Sequence, residues 1–286
     1  MQAKIITNNK WRLKKFQTKT ILTNENGRQI VYRCPITEAA RPFINTIIDR
    51  EKASQEYLKG HFDVLRGVQQ NGCLRYDYLP YPSLLQIIET QFRQNHPSKA
   101  NQSIEAYVTK VKALQSIYVI PENFYQIIGL SNENDNTKLS CLCRGLLDLI
   151  PQNILVDGDR WIVIDNEWSF DFPIPIVFIL FRTIISLSLL LQLYIRMAAD
   201  ETFPVIKMFT SRIRNFYVPQ KWANYIADRS ISIQQMFRWE LGFQQYVCGR
   251  NYCSHIRTIS GSDIRTHFSR WILYLYKYGL IHQSII

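Results

Sequence analysis

The chain has 286 residues and a mass of 33.8 kDa, enough for one large domain or two lobes with their own cores. Hydrophobic residues make up 47% and aromatics 13%, and no Gly/Ser-rich or Pro-rich tract marks a linker, which excludes a largely disordered chain. The formal charge of +11 and pI near 9.4 imply attraction to anions such as nucleotide phosphates, a charged glycan, nucleic acid or an acidic membrane face, and do not choose among them.

The N-terminal MQAKIITNNKWRLKKF is basic and lacks the apolar core of a secretory signal, so the expected location is the cytoplasm, with reduced thiols. Ala3 to Thr7, Thr18 to Thr23 and Arg28 to Arg33 read as strands of a small antiparallel sheet, with a turn at Asn24 to Gly27. Thr37 is expected to cap a helix whose apolar stripe is Phe43, Ile44, Ile47 and Ile48, with Pro42 in its first turns. Asp49 and Glu51 on that helix stand beside Arg50 and Lys52, a pattern that ordinarily marks a solvated face. A strand through Gly72 to Leu79 ends at Pro80 and Pro82, and Ser83 caps the next helix, SLLQIIETQF. Ser103 to Tyr118 has helical spacing, and the polar SNENDNTK that follows reads as a surface loop.

The stretch richest in chemistry is RGLLDLIPQNILVDGDRWIVIDNEW, Arg144 to Trp168. Asp148 is followed by Asn153, the apolar run Ile154 to Val156, a DGD turn, the strand Trp161 to Ile164, and Asp165. This spacing predicts a hairpin with Asn153 and Asp165 at the same open end. An amide oxygen and a carboxylate meeting there suit a hard divalent cation, and Asp148 just upstream suits proton acceptance from a hydroxyl.

The pattern D-x4-N, apolar strand, turn and second Asp resembles the catalytic and metal-binding core of protein-kinase-like phosphotransferases. In its D-x-x-P-x-N and I-D-x-E-W form it looks most like the kinase-like domains associated with bacterial surface-polysaccharide and O-antigen biosynthesis, relatives of the aminoglycoside and choline kinases. The resemblance implies an α+β, bilobal fold with a small antiparallel-sheet lobe at 1–79 and a larger helical lobe at 80–286 that carries the hairpin at 144–168. It implies an enzyme that uses ATP and Mg²⁺ to phosphorylate a hydroxyl of a sugar or glycan intermediate. Asp148 would be the catalytic base, Asn153 and Asp165 the metal ligands, and Arg33 the third-strand contact to phosphate with Glu51 as its partner. Asp77, Tyr78 and Leu79 would border the nucleotide, mainly through their main chain. Two departures stand out: Arg33 occupies the place of a Lys, and TNNKWRLKK stands where a glycine-rich loop is expected.

Beyond Trp168, FPIPIVFILFRTIISLSLLLQLYI is highly apolar but is interrupted by Arg182. The run after Arg182 falls short of the roughly 20 residues needed to span a bilayer, so a buried helix is expected. Phe203 to Tyr217, Ile231 to Val247 and Asp263 to Tyr278 read as amphipathic helices rich in Arg and aromatics. Their basic residues make peripheral contact with an anionic membrane an expectation, and no motif supports a nucleic-acid partner. Cys34 and Cys73 stand apart, Cys141 and Cys143 alternate, and Cys248 and Cys253 close CGRNYC, so no zinc spacing emerges. A glycosyltransferase or methyltransferase partner follows from the resemblance. The rival readings are a kinase-like scaffold without turnover and a membrane-bound assembly component that uses residues 174–195.

Overall fold

The computed structural model describes residues 3–129, 138–200, 203–208 and 216–249. Its first part is a five-stranded antiparallel sheet. Strands β1 (Lys4–Asn8), β2 (Thr18–Glu25) and β3 (Arg28–Pro35) form a meander. Asn26 and Gly27 both take positive φ, 51° and 80°, the turn whose twist matches that of its flanking strands.

The chain then crosses through α1 (Arg41–Leu58), with Pro42 in the first turn, where its missing N–H costs nothing. Thr37 does not cap this helix, because its hydroxyl donates to the Lys14 carbonyl at 2.6 Å. The buried stripe of α1 is Phe43, Ile44, Ile47, Glu51, Ser54 and Leu58, the spacing of one helical face. After β4 (Asp63–Val64), β5 (Val68–Gln70) and β6 (Cys73–Asp77) complete the sheet in the order β1-β2-β3-β6-β5.

Pairing of Arg33 with Leu74 across β3 and β6 brings Cys34 beside Cys73, with Cα atoms 4.4 Å apart, and the two form a disulfide. This corrects the expectation of reduced thiols throughout. A separation of 39 residues gave no local sign of the pair, which depends on the register of the sheet.

The rest of the described chain is mainly helical. Helix α2 (Leu84–Arg93) starts at Ser83, whose side chain and that of Gln86 cap each other's backbone as expected. Helix α3 spans Pro97–Lys112, and the end of the expected Ser103 to Tyr118 helix is instead the short strand β7 (Ser116–Ile117). Then come α4 (Glu122–Ile128), β8 (Cys141–Leu142), β9 (Gly145–Leu146), β10 (Ile154–Asp157), β11 (Arg160–Val163), β12 (Ser169–Phe170) and β13 (Ile174–Pro175).

Helix α5 (Ile176–Leu190) is buried on nearly every side, as an all-round apolar helix must be. It leads into α6 (Gln192–Met197). Among the described residues no helix is long and apolar enough to cross a membrane. The described ends of Phe203 to Tyr217 are not helical but form an antiparallel pair, β14 (Val205–Met208) and β15 (Phe216–Pro219), consistent with their β-branched and aromatic residues. Helices α7 (Gln220–Ile226) and α8 (Ile233–Cys248) follow, the latter close to the expected Ile231 to Val247. The expected helix at Asp263 to Tyr278, and SNENDNTK apart from Lys138, lie outside the described residues.

Candidate active site

The central stretch folds as its spacing predicts. In the hairpin, Ile154 pairs with Val163 and Asp157 with Arg160, and Gly158 takes the positive φ of 58° that the tight turn requires. The Ile164 N–H reaches the Asn153 carbonyl at 2.9 Å, so Asn153 and Asp165 leave the hairpin at one end. On the other side of the hairpin β4 adds in parallel to β11, and the Val156 N–H donates to the Pro82 carbonyl at 3.0 Å. The segment that joins the sheet to α2 is thereby fixed against the site.

Asp148 lies in the loop before the hairpin. Asn153 Nδ2 donates to the Asp148 carbonyl at 3.1 Å, which leaves the amide oxygen of Asn153 free to accept. The Trp168 N–H donates to Asp148 Oδ2 at 3.3 Å, and the Leu147 N–H donates back to the Trp168 carbonyl at 3.1 Å. The loop before the hairpin and the segment after it are thus stitched together. One carboxylate oxygen from each of Asp148, Asp165 and Glu167 lies within 4.8 Å of the others.

Arginines balance this acidity. Arg33 on β3 grips Asp165 with a two-pronged contact, Nη1 to Oδ1 and Nη2 to Oδ2, both at 2.8 Å, the geometry in which a guanidinium and a carboxylate bind most strongly. Asp165 Oδ1 also accepts the Glu167 N–H at 3.2 Å. Arg12, from the connection between β1 and β2, reaches Glu167 at 2.6 Å with both side chains buried, and its guanidinium lies 5.3 and 5.4 Å from the rings of Trp11 and Trp168.

Electrostatics separates the two aspartates. Burial, followed by the negative charges of Asp165 and Glu167, pushes Asp148 up to about 8. Burial also acts to raise Asp165, but the charge and hydrogen bonds of Arg33 outweigh it and hold this carboxyl below the usual range. The pair therefore places its proton on Asp148 and its negative charge on Asp165.

Glu51 is turned away from Arg33. It is buried and accepts from the Tyr76 hydroxyl at 2.7 Å and the Gly67 N–H at 2.8 Å, while the fork of Arg33 is filled by Asp165. Burial raises the Glu51 carboxyl. Asp49, the other acid considered on this helix, is exposed. Asp77, Tyr78 and Leu79 lie where β6 leaves the sheet, and the Tyr78 N–H is already donated to the Gln29 carbonyl at 3.2 Å.

Glu167, which follows the expected metal ligand Asp165, reads in sequence as a residue that supports it from behind. Two residues of this site were not singled out for it by sequence. Arg12 sits in the basic KWRLKK run, which offered no hint of its long-range partner. Arg182 drew notice only as a charge in an apolar helix. In the structure its Nε donates to Glu240 at 2.8 Å and its Nη1 to the Leu147 carbonyl, immediately before Asp148.

No protein-family model matches the chain, and no curated protein matches it. Among solved structures it is similar to choline kinase LicA from Streptococcus pneumoniae, at 14% identity and a TM-score of 0.43, over 91% of this chain and 90% of that one. It is also similar to a thermostable mutant of aminoglycoside phosphotransferase APH(4)-Ia, at 9% identity and a TM-score of 0.49, over 96% and 94% of the two chains. A third is the gentamicin complex of APH(2")-IIa, at 11% identity and a TM-score of 0.46, over 99% and 92%.

Proposed function

We propose that the chain is an ATP-dependent phosphotransferase that moves the γ-phosphoryl group to a hydroxyl of a sugar or glycan intermediate. The observation that carries this reading is the convergence of Asp148, Asn153 and Asp165 at one end of a hairpin, beneath a cation supplied by the sheet. The sheet and α1 form the smaller lobe in this reading, with the division near residue 79, and the nucleotide lies between it and the helical part.

The donors available at the site fit Mg²⁺. The carboxylates of Asp148, Asp165 and Glu167 lie together, and with the amide oxygen of Asn153 they offer oxygen ligands, which suit a hard cation. Asn153 and Asp165 would hold the ion, which supplies charge neutralisation across the phosphates. Asp165 is suited to the task because Arg33 keeps it ionised, and Arg33 must yield at least one of its two oxygens. The freed prong of Arg33 then faces phosphate, a partner its planar fork matches. With a cation at Asn153 and Asp165 offsetting the neighbouring negative charges, Asp148 would ionise, orient the acceptor hydroxyl and take its proton at a carboxylate oxygen. Asp77 to Leu79 border the adenine through main-chain groups, and Glu51 shapes the pocket through Tyr76 and Gly67 rather than through Arg33.

A second reading, a binding protein without turnover, is favoured by one observation: Arg33 holds both oxygens of Asp165. The test is transfer of label from ATP carrying a marked γ-phosphate, with sugar and glycan acceptors and with water. Transfer that is lost in Asp148→Ala, while that variant still binds ATP, is the expected result. Tight ATP binding with no transfer to any acceptor would favour the second reading, and no ATP binding at all would contradict both. A working partner of the glycosyltransferase or methyltransferase class, at an anionic membrane face, belongs to the same proposal and is tested by co-purification and by vesicle flotation at low and high salt.

A further inference from the structure

A second pair of cations meets the chain at the edge of the acid cluster. Arg50 of α1 donates through Nη1 to the Glu167 carbonyl. Arg144, immediately before β9, donates through Nε to the Ser169 hydroxyl at 3.0 Å. The two side chains therefore come from different elements onto the same three-residue segment, 167–169. That segment is firmly held: Ser169 is buried, its hydroxyl lies 3.1 Å from that of Ser54 on α1, and its strand pairs with β9.

Unlike Arg12, Arg33 and Arg182, neither Arg50 nor Arg144 forms an ion pair among the described residues. Both are half-buried. Burial is the largest cause and lowers both pKa values; the charges of Tyr246, Glu167 and Asp171 act to raise that of Arg50 and the charge of Arg144 to lower it, while Asp171 acts to raise that of Arg144. Two guanidinium groups held half-buried on one segment with no carboxylate in ion-pair contact are incompletely balanced, and an anion bound by them completes the balance. Each guanidinium has five N–H donors and spends one on the segment. Among the described residues the Arg50 and Arg144 guanidinium groups make one hydrogen bond each, which leaves donors for a ligand. Paired planar forks of this kind match the oxygens of a phosphate group.

We infer that Arg50 and Arg144 form a binding site for a phosphate-type dianion, separate from the place where Arg33 would meet nucleotide phosphate. The site itself stands whether or not the chain transfers phosphoryl groups. What carries the anion rests on the proposed function: segment 167–169 includes Trp168, whose N–H holds Asp148, so a phosphorylated acceptor anchored here has its bearer beside the base. The two sources of the same chemistry are free phosphate and a phosphate ester on a larger molecule.

The experiment is calorimetric titration and thermal melting of the full chain, without ATP, using inorganic phosphate and then phenyl phosphate. Chloride at equal ionic strength is the control, so that screening alone is removed. Saturable one-to-one binding is expected. Arg144→Gln should weaken it at least tenfold, Arg144→Lys by less, and Arg33→Gln should retain it. Comparable binding of phenyl phosphate assigns the site to an ester, and binding of inorganic phosphate alone assigns it to the free ion; either supports the site. Binding unchanged in Arg144→Gln and Arg50→Gln, or lost only in Arg33→Gln, overturns it. Arg50→Gln also removes a bond to the Glu167 carbonyl, so Arg144→Gln is the decisive variant if the former fails to fold. Failure of ATP binding in the wild type would leave this result untouched, so the two proposals fail separately.

Discussion

Three carboxylates share a space of under 5 Å at Asp148, Asp165 and Glu167, and the side chains around them decide which ones stay charged. Arg33 and Arg12 settle Asp165 and Glu167, which leaves Asp148 as the group that burial and its neighbours drive towards neutrality. The metal-free protein is therefore expected to gain stability from Asp148→Asn, which keeps an oxygen for the Trp168 N–H and removes the repulsion. The sign follows from linkage. A carboxyl whose folded pKa is raised from about 3.9 to about 8 favours the folded state below the unfolded pKa and loses that contribution as pH rises through the folded one. In chelator, the gain in melting temperature from Asp148→Asn should accordingly be larger at pH 8.5 than at pH 5. A fall in melting temperature at pH 8.5 would contradict this picture. The acidic residues were legible in sequence because they belong to one hairpin with fixed spacing. Arg12 was not, since it reaches Glu167 only after its connection packs against α8, where the Leu13 N–H meets the Val247 carbonyl at 3.0 Å.

At the scale of elements, α5 shows what a lone charge in an apolar helix is for. Arg182 ties α8, through Glu240, to the carbonyl before Asp148, and its guanidinium lies 5.0 Å from the Phe243 ring. Arg182→Leu leaves Glu240 buried without its cation, which should cost about 3 to 5 kcal/mol of stability. Adding Glu240→Leu should recover most of that loss in denaturant unfolding. If the double variant is as unstable as the single one, the pair is not the cause. Close packing of α4 and α8 gives a further check. A Cβ on Gly242 would lie 1.8 Å from the Ile128 carbonyl oxygen, so Gly242→Ala must push backbone apart and should lose at least about 1 to 3 kcal/mol. A neutral effect on unfolding would mean that the helices do not meet as described. The buried character of α5 was readable from its unbroken apolar run, and the α2 start from Ser83. The pair β14 and β15 was misread as helix because short apolar runs carry no decisive period. The Cys34–Cys73 disulfide was hidden for a related reason: strand register is a property of the folded sheet.

For the whole molecule, the antiparallel sheet delivers one cation, Arg33, and the helical part delivers the hairpin that meets it. A small antiparallel sheet with a mainly helical part after it was foreseen from the resemblance of residues 144–168 and from the strand pattern before Tyr78. The partner of Arg33 was not foreseen, because the choice between Glu51 and Asp165 depends on how α1 sits over the sheet: Glu51 is taken by Tyr76 and Gly67. The central claim is that Asn153 and Asp165 hold a metal against nucleotide phosphates, and its most direct test is the melting temperature of the full chain with ATP, with and without Mg²⁺. At a tenfold excess over the dissociation constant, linkage gives about 1.4 kcal/mol, and for a chain of this size that is roughly 2 to 5 °C. This shift is expected only when Mg²⁺ and ATP are both present, largely abolished in Asp165→Ala and kept in Asp148→Ala. A shift that survives Asp165→Ala, or no shift in the wild type, would contradict it.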